Sequence, residues 1–537
     1  MKISSSLTKL TISLPLKKEV KGKSELPNYI WRVVPIIMAL VSIVAWIFYY
    51  SQDLTLAYND ARSHLNVARR VIDNLQPGSA QIGSVWLPLY HVLELPLIWN
   101  DFLWHSGIAG SLISMVSFVL GGIVLLSFSK KLKFDVWATL VVIMSYALNP
   151  NLLFMQTTPM TEALLIFLSL TSVYYAVRWV DKFNLLELIR TAFFVFLASL
   201  TRYDGWFLFA SIFTLVAYLT YKKRGYKFTE GNIILFSTLA GFGIFLWILW
   251  NFVIFGDPLY FVFGPFSAKA QQDILLAEGR LLTKGNLLYS TFIYLLAVMH
   301  NVGVWLGILA VAGMWLFVKS RRYKQKTKLA VGLLLVPLIF NIISLVVGHS
   351  VIHLPELPPY TWFNDRYGLM ILPATSVALG FLANRRKIIA ILISLVILTQ
   401  TYSMYTQNRV ITIEDGVRGA SGEYLDEASG WIKENVDNDG LILVAASSND
   451  ALLFSSGLPL KRFITEGAKE YWGASLDKPS VFAKWVVMHK GDLVEKSLKD
   501  NDDFLTNYRL VYKDSFSYIY KRELELLTPL TEDELPN

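Results

Sequence analysis

Residues 31–50 read WRVVPIIMALVSIVAWIFYY, twenty positions that carry one charge, Arg32. A helix rises about 1.5 Å per residue, so this block matches the ~30 Å hydrocarbon core of a bilayer. Residues 1–30 hold Lys2, Lys9, Lys17, Lys18, Lys21 and Lys23 without an apolar core, the pattern of a basic cytoplasmic tail and not of a cleaved signal peptide. Residues 31–50 are therefore expected to be a retained span. The same texture recurs at 110–128, 135–150, 161–178, 190–201, 206–221, 232–255, 302–318, 329–348, 367–383 and 388–404, which gives eleven expected spans. With 54% hydrophobic and 17% charged residues in 537, the chain is too apolar for a soluble enzyme.

Orientation follows from basic clusters in alternate loops: Lys130/Lys131/Lys133, Arg178/Lys182/Arg190, Lys222/Lys223/Arg224/Lys227, Lys319/Arg321/Arg322/Lys324/Lys326/Lys328 and Arg385/Arg386/Lys387. Those loops are expected to face the cytoplasm. An odd number of spans then puts residues 405–537 on the extracytoplasmic side of a multi-pass cell-membrane protein. Residues 84–105 are apolar but broken by Pro88, His91, Glu94, Pro96 and Asp101, and Leu65, Ala68, Val71, Ile72 and Leu75 recur at helical spacing. Both segments read as interfacial helices within 60–105.

Residues 405–537 differ in texture, with helical periodicity at 423–436 and strand-like runs at 441–445, 485–488 and 509–512. The expected fold class is thus an α-helical polytopic membrane domain (31–404) with a small C-terminal α/β domain (405–537). The tail holds 15 basic and 23 acidic residues, so the net charge of +8 belongs to the membrane portion and reflects topology, not a nucleic-acid surface. With no cysteine, thiol nucleophiles, disulfides and thiolate metal sites are excluded. Carboxylates, imidazoles and hydroxyls remain for any chemistry.

A charged side chain at bilayer depth costs about 2.5 to 3.5 kcal/mol on insertion scales, so ionisable groups at the membrane edge carry the most information. They gather at the ends of outer loops: Tyr58-Asn59-Asp60-Ala61-Arg62-Ser63-His64, Thr157-Thr158-Pro159-Met160-Thr161-Glu162, Thr201-Arg202-Tyr203-Asp204-Gly205-Trp206, Gly256-Asp257-Pro258-Leu259-Tyr260 and Asn364-Asp365-Arg366-Tyr367. Asp60 and His64 stand at i and i+4, one face of a helix. Each segment also has a plain structural reading. Glu162 suits a helix start, Asp257-Pro258 is a turn signal, Arg202 with Asp204 and Asp365 with Arg366 form rim ion pairs, and Asp60 is a solvated loop carboxylate. His349 and His353 have metal-ligand spacing but no third ligand beside them. Glu466, Tyr471 and Trp472 read as a solvated loop. Together, a carboxylate, arginines and aromatic rings at one level make a site for an anionic lipid head group plus a sugar.

Through Asp60 in YNDARSHLNVARR, the two surface helices after it, the Leu200–Trp206 turn and Arg366-Tyr367-Gly368-Leu369 running into Pro373, residues 30 to about 405 resemble the C-type multi-span glycosyltransferases. These use polyprenyl-phosphate sugars. The resemblance is to the branch of protein O-mannosyltransferases and the lipid A aminoarabinose transferase, which is glycosyltransferase family 39-like. It implies inverting transfer of one sugar, of hexosyl or mannosyl type, from a dolichyl or undecaprenyl phosphate to a protein, lipid or polysaccharide. Asp60 would be the general base, Arg202 and Arg366 would bind phosphate, and His64, Glu162, Tyr203, Asp204, Asp257 and Tyr367 would shape the sugar and acceptor site. Neither cofactor nor metal is expected, and no WWDYG-like motif occurs in the tail. Two departures stand out: Ala61 replaces a second acidic residue, and Gly83-Ser84-Val85-Trp86-Leu87-Pro88 lacks the lysine that relatives place before the proline, which leaves Arg62 as a further phosphate candidate. A lipid flippase or solute transporter is the competing class, but such proteins keep ionisable groups near the midplane in repeated, broken helices. A third class is an assembly scaffold that binds a partner through its outer domain.

Overall fold

The computed structural model describes residues 26–419, 426–437 and 439–523. The basic tail expected at 1–30 lies almost wholly outside them. Helices occupy all eleven expected blocks, but the count of eleven spans is not reached by length. Among the described residues, eight helices are long and apolar enough to cross a membrane, or nine if one bent pair is a single span. Val136–Ala147 has 12 residues and Leu185–Ser199 has 15, so each is too short to cross alone. The protein is a multi-pass membrane protein.

The bent pair joins Leu287–Val302 to Val304–Lys319 at 105°. Gly303 makes the corner with φ +92°, a conformation that residues with a Cβ rarely adopt. A Cβ there would also fall 2.2 Å from the Gln400 amide, which donates to the Val302 carbonyl at 2.8 Å. The turn thus needs glycine for two independent reasons.

Two short helices of the first loop, Asn59–Arg69 and Leu89–Ile98, match the expected interfacial segments, and a third, Asp101–His105, follows them. The first is shorter at its C-terminal end than the period at 65–75 suggests. Its buried side, with Leu65 and Ala68, joins Ile98 and Trp104 in one apolar cluster with Ile442, Phe463, Trp485 and Ile519 of the tail. The loop and the tail therefore share a core.

The tail carries a five-stranded sheet in the order β2-β1-β3-β5-β4. The strands are β1 (Leu441–Val444), β2 (Phe463–Ile464), β3 (Ala483–His489), β4 (Tyr508–Lys513) and β5 (Ser517–Arg522). β1 pairs in parallel with β2 and β3, while β5 lies antiparallel between β3 and β4. Three strands match the expected runs. β2 has only two residues, and β5 reads as the polar return of a hairpin, so neither gives a strong period of two.

Near the site, the segment Asp365–Ile371 lies flat against Leu287–Val302, and an added Cβ on Gly368 would sit 2.2 Å from the Ala297 carbonyl oxygen. Backbone cannot yield there as a flexible side chain could. Gly368→Ala is expected to cost about 1–3 kcal/mol through overpacking. Gly307→Ala, which meets nothing within 4 Å, should be neutral or stabilising. Thermal unfolding of the two variants in one detergent checks this.

Candidate active site

Asp60 lies in the first turn of Asn59–Arg69, where the helix dipole favours a carboxylate. The tail holds this helix from the other side. Asn66 donates to the Asp450 carbonyl at 2.8 Å and to its carboxylate at 2.9 Å, and Arg70 pairs with the same Asp450. Asp73 accepts the backbone N–H groups of Leu460 (3.3 Å) and Lys461 (3.2 Å). The remaining face of the helix turns toward the membrane domain.

There, Arg366 is enclosed by acids. Its Nη2 donates to Asp60 Oδ2 at 2.6 Å, its Nε to Glu162 Oε1 at 3.2 Å, and its Nη1 to Asp415 Oδ2 at 3.5 Å. The Arg366 side chain is 5% exposed, Glu162 0% and Asp415 2%, whereas Asp60 is 38% exposed. Only Asp60 reaches solvent freely. Its Oδ1 has no protein partner among the described residues.

Glu162 Oε1 is shared. It also accepts from Arg202 Nη1 at 3.1 Å, and Arg202 Nε reaches Asp204 Oδ2 at 3.4 Å. Arg202 lies over the Tyr367 ring at 4.6 Å, and Arg366 lies over Tyr58 at 4.8 Å and Tyr367 at 5.3 Å. Each guanidinium thus has carboxylates at its edge and an aromatic ring against its face, a combination that offsets the cost of desolvating it. Tyr58 is buried and donates to the Thr412 carbonyl at 2.7 Å and to Asp415 at 3.1 Å. Burial, reinforced by Asp415, pushes its phenol well above the usual range, so it remains a donor.

Of the residues expected from sequence, Asp60, Glu162, Arg202, Asp204, Arg366 and Tyr367 come together. The others do not join this cluster. Arg62 turns to the tail and bonds Ser455 Oγ at 3.0 Å and the Leu56 carbonyl at 3.1 Å. Asp257 caps its own turn, accepting from Leu259 N at 2.8 Å, as the turn reading predicts. Tyr203 stacks on Phe261 and donates to the Val85 carbonyl at 2.7 Å.

His64 shares the helix with Asp60 and meets His91, Nδ1 to Nε2 at 2.8 Å, with its ring centroid 4.3 Å from that of Trp86 and the planes tilted by 33°. Burial, with Arg202 and Arg366 nearby, pushes its imidazole down to about 3, so the ring is neutral. His91 is also held low, by burial and by His64. Glu94, in the second of the first-loop helices, is fully buried, and that burial pushes its carboxyl well above the usual range.

Sequence reasoning missed Asp415. It lies on Ile411–Arg418, just beyond the last expected span, in a stretch whose charges read as the start of the soluble tail. The available signal was its amphipathic period, with Thr412 and Asp415 buried on one face.

The sequence matches no family model and no curated protein. Solved structures do match in fold. ArnT from Cupriavidus metallidurans bound to undecaprenyl phosphate aligns with TM-score 0.58 at 11% identity, over 94% of this chain and 100% of that one. The likeness is one of fold. The apo state of the same ArnT gives 0.54 at 12% identity over 90% and 97% of the two chains. The apo Archaeoglobus fulgidus oligosaccharyltransferase gives 0.53 at 11% over 87% and 70%. Within this fold, the Arg366 and Arg202 cluster forms where the first loop, the Leu200–Asp204 turn and the last spans meet.

Because Glu162 is buried between two guanidinium groups, Glu162→Gln leaves both arginines short of a countercharge. It is expected to cost about 3 kcal/mol, as for other buried pairs broken on one side. Asp60→Asn, at a half-exposed group, should cost about 1 kcal/mol or less. Thermal unfolding ranks the two, and equal losses would contradict the shared-carboxylate account.

Proposed function

We propose that this protein is an inverting glycosyltransferase that moves a single sugar from a polyprenyl phosphate to an acceptor hydroxyl on the extracytoplasmic side of the membrane. One juxtaposition carries the reading: an apolar slot ends at the Arg202 cluster. The slot is walled by Leu165, Leu170, Val173, Leu208 and Met370, and has Asp204, the partner of Arg202, as its charged lining residue. An apolar channel that ends beside a guanidinium suits an isoprenoid chain with a phosphate at its head. The matched ArnT structure is described as bound to undecaprenyl phosphate, which supports a donor of this class.

In this reading Asp60 is the general base. Arg366 holds its Oδ2, and the carboxylate, 38% exposed, takes the proton of the attacking hydroxyl. As the acceptor oxygen bonds to the anomeric carbon, the bond from that carbon to the phosphate oxygen breaks on the opposite face, with inversion. Arg202, 20% exposed, is placed to stabilise the departing phosphate. Each of the three Arg366 nitrogens already faces a carboxylate, so Arg366 is better suited to orienting Asp60 than to gripping phosphate. Glu162 fixes the spacing of the two arginines, and Asp204 and Tyr367 orient Arg202. No step in this scheme calls for a metal.

Purified protein in nanodiscs with radiolabelled polyprenyl-phosphate hexoses, mannosyl donors first, tests the proposal. Wild type should release or transfer label with or without chelator. Asp60→Asn should lower kcat about a hundred- to ten-thousand-fold while unfolding at nearly the same temperature. Full turnover by folded Asp60→Asn would remove Asp60 as the base.

A further inference from the structure

Between the helix that carries Asp60 and the turn that carries Arg202 lies the segment Gly83–Pro88, and every part of it is anchored except one indole. Val85 O accepts from Tyr203 Oη at 2.7 Å, and Gly83 O accepts from Trp250 Nε1 at 3.4 Å. Leu89 N, directly after the segment, donates to Leu200 O at 2.9 Å. Leu87 is buried against Trp247 and Phe261. Trp86 alone projects outward. Its residue is 36% exposed, and one side of its ring system rests on His64, with ring centroids 4.3 Å apart.

His64 is itself fixed. It is 6% exposed, its Nδ1 is committed to His91 Nε2 at 2.8 Å, and its Nε2 has no protein partner among the described residues. Asp60, whose carboxylate is held by Arg366 at 2.6 Å, lies one turn earlier on the same helix. A tryptophan that only anchored the chain at the membrane surface would need no such support. Here a half-open indole is held rigid by neighbours on both flanks, beside a buried imidazole with a free nitrogen.

Resting on the glycosyl-transfer reading above, we infer that Trp86 and His64 form the subsite for the donor sugar: Trp86 is the platform on which the pyranose ring stacks, and His64 Nε2 is a hydrogen-bond partner for one of its hydroxyls. The C–H groups on one face of a pyranose carry slight positive charge, and the face of an indole is electron-rich, so the two attract as edge and face do between aromatic rings. The position also fits the reaction. The sugar must lie between the base and the leaving phosphate, and Gly83–Pro88 bridges the Asp60 helix and the Arg202 turn. Trp86 stands in the segment where this chain lacks the lysine found in the resembled family, so the subsite belongs to this sequence.

Because a stacking platform touches the sugar and not the lipid phosphate, binding of two ligands separates the roles. Affinities for a polyprenyl-phosphate hexose and for bare polyprenyl phosphate are measured on wild type, Trp86→Ala and Trp86→Phe in nanodiscs. Trp86→Ala should bind the hexose donor about three- to tenfold more weakly and bare polyprenyl phosphate equally well, and Trp86→Phe should recover most of the loss. His64→Gln should weaken hexose binding without affecting the bare phosphate. If Trp86→Ala weakens both ligands alike, or neither, the platform is overturned and Trp86 is a structural anchor. If wild type binds neither ligand, the glycosyl-transfer reading itself fails, whatever the variants do.

Discussion

One carboxylate oxygen organises this protein. Glu162 Oε1 accepts from Arg202 at 3.1 Å and from Arg366 at 3.2 Å, and its side chain is fully buried. Two like charges held this close repel strongly in a medium of low dielectric, so each needs further countercharge. Arg366 finds it in Asp60 and Asp415, and Arg202 in Asp204. Those carboxylates come from the first loop, the segment after the last span, and the start of a central helix. The electrostatic requirement of one residue pair thereby draws together parts of the chain separated by up to 355 positions, Asp60 to Asp415.

The tail reinforces the same arrangement from outside. Asn59–Arg69 would be a marginal helix alone, with 11 residues and two neighbouring arginines near its end. Asp450 answers Arg70 and Asn66, Asp73 caps the backbone at Leu460 and Lys461, and Leu65 and Ala68 enter the core beneath the sheet. The α/β domain therefore serves as a brace for the helix that presents Asp60, whatever else it contacts. This accounts for an acidic domain standing beside a loop that is rich in arginine.

Much of this was legible in the sequence because membrane burial imposes a coarse and regular signal. Every apolar block became a helix, and six of the ten expected site residues met, since charges at bilayer depth exist only where partners are near. What escaped detection depends on long-range geometry. Val136–Ala147 and Leu185–Ser199 look like spans by hydropathy, and only their ends at Ala147 and Ser199 show them too short to cross alone. His64 shares a helical face with Asp60, but its partner is His91, 27 residues away, a pairing that local spacing does not reveal. Asp415 looked like any tail acid because its burial is created by Tyr58 and Arg366, which local periodicity does not reveal.

The division of partners between the two arginines gives the site a direction. Arg366, with a carboxylate on each nitrogen and 5% exposure, is electrostatically saturated and offers little to an arriving anion. Arg202 has two acids, greater exposure at 20%, and an apolar slot ending at its partner Asp204. Of the two arginines, Arg202 is thus the one tied to the slot, through Asp204. In the proposed reaction this asymmetry keeps the leaving group away from the base, as in-line displacement with inversion requires. The two ends of the reaction are thus separated by the same shared carboxylate, Glu162, that joins them structurally.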